Sequence, residues 1–178
     1  MLHTMRQGIF SRLEDLIKDY LTGKKDLIGI EIGSYAGESA EMFVKSGAFK
    51  QLYCIDPWEM NYDPSDCTGD EGLLEAEKAF DARFKDSPVV VKIKDKSEDA
   101  VSMFRNETID FIYIDGNHQY ESVKRDLELY VPKIKLRGII AGHDYGGPTT
   151  PGATLAINEY FGIEPDSRYP DYSWVYIK

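Results

Sequence analysis

Histidine and cysteine are scarce in this chain, with three and two copies among 178 residues. Cys54 lies in an apolar run and Cys67 in a polar stretch, a placement that does not suggest a disulfide framework. No apolar run approaches the roughly 20 residues needed to cross a bilayer. The opening Met-Leu-His-Thr-Met-Arg lacks the apolar core of a secretory signal. A cytoplasmic protein without a membrane partner is the expectation. Positive charge is also short, and the net charge is −10. Nucleic acid is disfavoured as a partner, because phosphate contacts need a basic face. Residues 56–86 hold ten acids against three bases, read mainly as a solvated loop and helix face. Hydrophobic residues are 42% and charged residues 29%, as in a folded globular chain. The length suits one domain over 1–178, with an N-terminal helix in 1–25 and a core in 26–178.

One glycine is missing where it would be diagnostic. Leu27-Ile-Gly-Ile-Glu31-Ile-Gly33-Ser34-Tyr35-Ala-Gly37-Glu-Ser39 reads as strand, tight turn and helix start. A dinucleotide site wants G-x-G-x-x-G, whose second glycine lets backbone approach a pyrophosphate. Here only Gly33 and Gly37 are present, and Glu31 ends the strand. A carboxylate there repels phosphate and attracts an ammonium. S-adenosyl-L-methionine carries an ammonium and a sulfonium and no phosphate. The segment resembles the first motif of class I methyltransferases, which implies a cofactor site built from Glu31, Gly33, Ser34, Tyr35 and Ser39. An ordinary strand-turn-helix with a solvated Glu31 is the alternative.

Helical and strand patterns alternate along the chain, which implies an α/β fold with a parallel sheet covered on both faces. Phe10, Leu13, Leu16, Ile17, Tyr20 and Leu21 make the stripe of an opening helix. Strands are expected at Leu27–Ile32, Gln51–Ile55, Val89–Ile93, Ile109–Ile114, Gly138–Ala141 and Trp174–Ile177. A weak further strand is expected within Ile163–Tyr169. Two long stretches, Asp56–Asp70 and Asp144–Gly152, follow strands and are expected on the functional edge.

Asp56 ends the second strand, where an acid can accept hydrogen bonds from both ribose hydroxyls. Pro57 and Trp58 offer an apolar wall for adenine, or local loop packing. Lys96 and Ser97 follow the third strand near the adenine position, and Ser97 is also a candidate helix cap. Asp115 ends the fourth strand and His118 follows at a helix start, while the fifth strand ends in His143 and Asp144. Neighbouring strand tips would bring these four together. Two carboxylates with an imidazole suit a divalent cation. A neutral imidazole also suits proton abstraction.

Asp115-Gly-x-His118-x-Tyr120, Lys124-Arg-Asp-Leu127, Leu136-Arg-Gly138, Asp144-Tyr145, Pro151-Gly-Ala153 and Asn158-Glu-Tyr-Phe161 resemble the macrocin O-methyltransferase-like group. With Ile55-Asp-Pro-Trp58, the similarity runs from Leu27 to Lys178. The resemblance implies a Rossmann-like seven-stranded methyltransferase sheet whose last strand is antiparallel. It further implies that Asp115 contacts cofactor and metal, and that His118 is the general base. Relatives complete the metal site with two acids after the fifth strand, where this chain has His143 and Asp144. Asp115, His143 and Asp144 are thus the expected ligands. An imidazole favours a transition metal over magnesium. The implied reaction is O-methylation of a small-molecule hydroxyl, sugars included, with 61–69 and 146–152 shaping the acceptor pocket. A homo-oligomer is compatible with this. An NAD-dependent oxidoreductase and a non-catalytic cofactor-binding module are the rival readings.

Overall fold

The computed structural model describes residues 13–59 and 69–178. Phe10, Cys67 and positions 61–68 of the expected acceptor loop lie outside the described residues. The strands are β1 (Leu27–Ile32), β2 (Phe49–Ile55), β3 (Val90–Ile93), β4 (Ile109–Ile114), β5 (Ile134–Gly142), β6 (Ser167–Arg168) and β7 (Trp174–Ile177). The helices are α1 (residues 13–20), α2 (Glu38–Lys45), α3 (Gly69–Phe84), α4 (Ser97–Ala100), α5 (Tyr120–Tyr130) and α6 (Pro151–Phe161). One seven-stranded sheet runs β3-β2-β1-β4-β5-β7-β6. Strands β1 to β5 are parallel, and β7 is antiparallel to both β5 and β6. This is the expected Rossmann-like seven-stranded sheet with its last strand antiparallel.

Alternation along each strand sends side chains to two apolar cores, one per face. Ile30, Ile32, Ile112 and Ile114 pack with Leu127 and Tyr130 of α5 and Ile157 of α6. Leu52, Phe111 and Tyr113 pack with Leu16 of α1, Phe43 of α2 and Phe80 of α3. Phe43 sits edge-on to both Phe111 and Tyr113, with centroids 5.1 Å away in each case. Because the central strands are buried on both faces, they read as continuous apolar runs rather than alternating ones.

Several boundaries depart from expectation. β2 starts two residues before Gln51, β3 one residue after Val89, and β5 ends one residue past Ala141. β5 starts four residues before Gly138. That first part carries Lys135 and Arg137, leaves Leu136 79% exposed and places Arg137 at a φ of 63°. An apolar-run criterion therefore misses it. Ser97 does not cap α4: Lys96 holds the cap position without a side-chain cap bond. The Ser97 hydroxyl donates instead to Asp126 Oδ1 at 2.5 Å.

Candidate active site

The parallel ladder extends one residue past each strand. Gly33 N donates to Ile55 O, Asp56 N to Ile93 O, Asp115 N to Ile32 O and His143 N to Ile114 O, at 2.9 to 3.1 Å. Each of these residues is pinned to the strand beside it. They form one row at the carboxyl edge of the sheet, where open α/β sheets bind ligands.

Gly33 makes the row compact. Its φ is 85°, and a Cβ there would meet Asp115 O at 2.1 Å. Only glycine permits that turn against β4.

Glu31 is not solvated. It is fully buried, and Ser39 Oγ donates to its Oε1 at 2.6 Å. Its Oε2 and the buried Ser34 Oγ have no hydrogen-bond partner of normal geometry among the described residues. Burial raises the Glu31 pKa to about 7, opposed by the neighbouring Ser39, Ser34 and Cys54 side chains. A buried carboxylate with an unpartnered oxygen at a strand tip fits an ammonium ligand.

Asp56 carries a structural duty as well. Its Oδ2 accepts from Tyr35 N at 2.8 Å and its Oδ1 from Trp58 N at 2.7 Å. The carboxylate thus ties the turn after β1 to the loop after β2. Tyr35 has a φ of 46° and Trp58 of 44°, conformations that these bonds hold in place. Trp58 is buried, donates from Nε1 to Tyr35 O at 2.8 Å and stands edge-on to Phe80. Its local packing is therefore real, yet Pro57 and Trp58 still line an open cleft with Glu59, Lys94, Asp95 and Lys96. The Ser97 hydroxyl is bonded to Asp126, whose pKa burial raises to about 7 while the Ser97 bond opposes it. Tyr130 OH donates to Ser97 O at 2.6 Å. Ser97 thus joins α4 to α5 rather than lining the cleft.

The tips of β4 and β5 converge as expected. His118 Nε2 lies 3.2 Å from Asp144 Oδ2. His143 Nδ1 lies 3.3 Å from Asp144 Oδ1 and 3.8 Å from Asp115 Oδ1. Asp144 has a φ of 73°, uncommon for aspartate, and Thr150 Oγ1 donates to its Oδ1 at 3.2 Å. Burial pulls His143 down, but the Asp115 and Asp144 carboxylates outweigh it and raise its pKa to about 9. Burial also raises Asp115, against the nearby His143 charge. Asp144 is held low, because its bond and charge contact with His143 overcome the burial that would raise it.

One atom each from Asp115, His118 and Asp144 lies within 4.8 Å of the others, a grouping able to hold a metal ion. His118 takes the place in that group expected for His143, which instead pairs with both carboxylates.

Sequence reasoning missed Asp126, Thr150 and Asp171. Asp171 is 7% exposed and sits in the turn before β7. None of the three stands at a parallel strand tip, the only positional signal available.

Residues 30–145 match the methyltransferase-domain family. Protein R132 of Acanthamoeba polyphaga mimivirus is 28% identical over 172 residues, covering 93% of this chain and 72% of that protein. The Sinorhizobium fredii protein y4gI is 23% identical over 65% of this chain, which spans only 13% of its length. Among solved structures, the O-methyltransferase NovP superposes with a TM-score of 0.59 at 16% identity, over 97% of this chain and 78% of NovP. CalS11, a TDP-rhamnose 3'-O-methyltransferase of calicheamicin biosynthesis, gives 0.58 at 15% identity, over 92% and 73%. A Corynebacterium glutamicum protein gives 0.58 at 17% identity, over 88% and 74%.

Proposed function

The chain belongs to the methyltransferase-domain family of S-adenosylmethionine-dependent enzymes, and we propose that it methylates a hydroxyl of a small molecule. The observation that carries this reading is the His118–Asp144 pair, 3.2 Å apart beside the cofactor row. NovP and CalS11, by their descriptions O-methyltransferases, support the choice of oxygen and of a small acceptor.

Glu31 receives the cofactor ammonium on Oε2 while Ser39 holds Oε1. Asp56 receives the ribose hydroxyls, with its orientation already set by Tyr35 and Trp58. Pro57 and Lys96 border the adenine. Gly33 lets the turn after β1 lie against Asp115, so cofactor and catalytic residues share one rigid edge. Bound S-adenosylmethionine would supply an electrophilic methyl group: the acceptor oxygen would bond to its carbon in line as the carbon–sulfur bond breaks, and S-adenosylhomocysteine would leave. His118 takes the hydroxyl proton as the oxygen attacks, and Asp144 orients the imidazole and stabilises its charged form. The protein forms no covalent bond to the methyl group.

A second reading is favoured by the convergence of Asp115, His118 and Asp144. Two carboxylate oxygens and one imidazole nitrogen fit a divalent cation. These three would hold it, and a cation there would lower the pKa of the acceptor hydroxyl. His118 then serves as a ligand, and His143 stays outside as the partner of the carboxylates.

Incubation with S-adenosylmethionine bearing a deuterated methyl group, over a panel of hydroxylated small molecules, tests the proposal. The label is expected on an acceptor oxygen. Label found only on nitrogen or carbon acceptors contradicts it.

A further inference from the structure

One wall of the open cleft comes from a single short stretch of chain. Lys94, Asp95, Lys96 and Asp99 line it, and all belong to the stretch that leaves β3 and starts α4. β3 is the edge of the sheet, so this stretch has a strand beside it on one side only. Asp56 N donates to Ile93 O at 3.1 Å, which closes the β2–β3 ladder.

Beyond that bond the wall is held from α5. Ser97 Oγ donates to Asp126 Oδ1 at 2.5 Å, and Tyr130 OH donates to Ser97 O at 2.6 Å. Asp126 and Tyr130 are four positions apart and share a face of the helix. Ser97, Asp126 and Tyr130 are all buried. Lys96 O accepts from Asp99 N at 3.1 Å and from Ala100 N at 3.0 Å, so Ser97 and the lining residues share one turn of backbone. The turn moves as a unit, and its tethers are two side chains of α5.

An acid is out of place on that face. The other buried residues of α5 are Val123, Leu127 and Tyr130. Burial raises the Asp126 pKa to about 7, and the Ser97 bond opposes the rise. A buried carboxyl costs stability that an apolar side chain of similar size would not. Packing therefore does not account for Asp126, whereas its hydrogen bond leads through Ser97 to the cleft. The same helix begins two residues after His118, so one element meets the catalytic edge at its start and the cleft wall towards its end.

We propose that Asp126 is a positioning residue for the cofactor: through Ser97 it fixes the wall of the cleft against which the adenine binds. It touches no reacting atom. A wall ordered before the ligand arrives removes an ordering cost from binding. The proposal rests on the reading of that cleft as the adenine site. It adds a determinant of cofactor affinity that stands behind the cleft rather than in it.

The test uses the full chain and two probes. One is S-adenosylhomocysteine. The other is the methyl riboside of S-ribosylhomocysteine, which keeps the amino acid and the ribose and lacks the adenine. The first is titrated calorimetrically and the second by competition with it. The wild type is expected to prefer S-adenosylhomocysteine, and the ratio of the two affinities measures what the adenine contributes. Asp126→Leu removes the tether and leaves an apolar side chain on an apolar face. It is expected to shrink the ratio about tenfold, the scale of ordering one or two side chains, with the riboside affinity unchanged. Asp126→Asn keeps an oxygen that accepts from Ser97 Oγ and is expected to retain most of the ratio. Ser97→Ala is expected to match Asp126→Leu, and the double variant to lose no more than either alone. Ser97→Ala leaves α5 untouched and decides the case if Asp126→Leu does not fold. A lower melting temperature with an unchanged ratio, an equal loss for both probes, or additive losses in the double variant overturns the proposal. A wild type that binds both probes equally overturns the placement of adenine in the cleft instead.

Discussion

Ser39 Oγ donates to Glu31 Oε1 at 2.6 Å, while Glu31 Oε2 is buried without a hydrogen-bond partner among the described residues. One half of the carboxylate is fixed by the protein, and in the proposed reading the other half is open to the cofactor ammonium. The arrangement is expensive for the fold and useful to binding.

Glu31→Gln separates those effects. The folded pKa of Glu31 is about 7, above its ordinary value of 4.5. Between those values the folded state holds a proton that the unfolded state has lost, so stability falls as pH rises through the window. At pH 8 the substitution should therefore stabilise the fold, by at most roughly 3 kcal/mol. The cofactor ammonium prefers the ionised carboxylate. Wild-type affinity for S-adenosylhomocysteine should rise between pH 6 and pH 8, and the slope should flatten in Glu31→Gln. Melting curves and titrations at both pH values check this. A variant that melts lower and keeps the wild-type pH slope contradicts it.

Gly33→Ala should destabilise the protein by roughly 2–4 kcal/mol, from a left-handed backbone and an overpacked contact. The clash is with the Asp115 backbone, 2.1 Å from the added Cβ. Cofactor affinity should fall with it, because the turn and β4 would have to separate. Denaturant unfolding together with S-adenosylhomocysteine titration reads both effects. Wild-type stability in the Gly33→Ala variant would mean that the turn does not rest on β4.

The metal question turns on Asp115, His118 and Asp144. If they hold a cation, manganese should bind the wild type in calorimetry and bind Asp144→Asn at least about tenfold more weakly, since removal of one charged ligand leaves a weaker site. Turnover should then fall on chelation and return with metal. Full turnover after exhaustive chelation leaves His118 with the acid-base role alone.

The boundaries of β1, β4 and β7 were legible residue for residue, because each is a buried apolar run closed by a change in polarity. The meeting of Asp115, His118, His143 and Asp144 was legible for the same reason: parallel strands share one carboxyl edge. β6 was placed only to within Ile163–Tyr169, since a two-residue edge strand such as Ser167–Arg168 has no period to detect. That His118 rather than His143 completes the group of ligand-capable atoms with Asp115 and Asp144 was hidden too, because spacing says which residues meet and not which atoms face each other. Asp126 owes its role to a partner far along the chain, Ser97, and composition does not encode that pairing.

His118 carries the central claim, and one variant tests it most directly. Turnover and S-adenosylhomocysteine affinity are measured on His118→Ala in the same preparation, with its melting temperature as a control. A lost general base should lower turnover roughly 10²–10⁴-fold. Cofactor affinity should stay near the wild-type value, because His118 lies beside the β4 and β5 tips rather than among the cofactor contacts. Near-normal turnover in a well-folded His118→Ala protein would contradict the account.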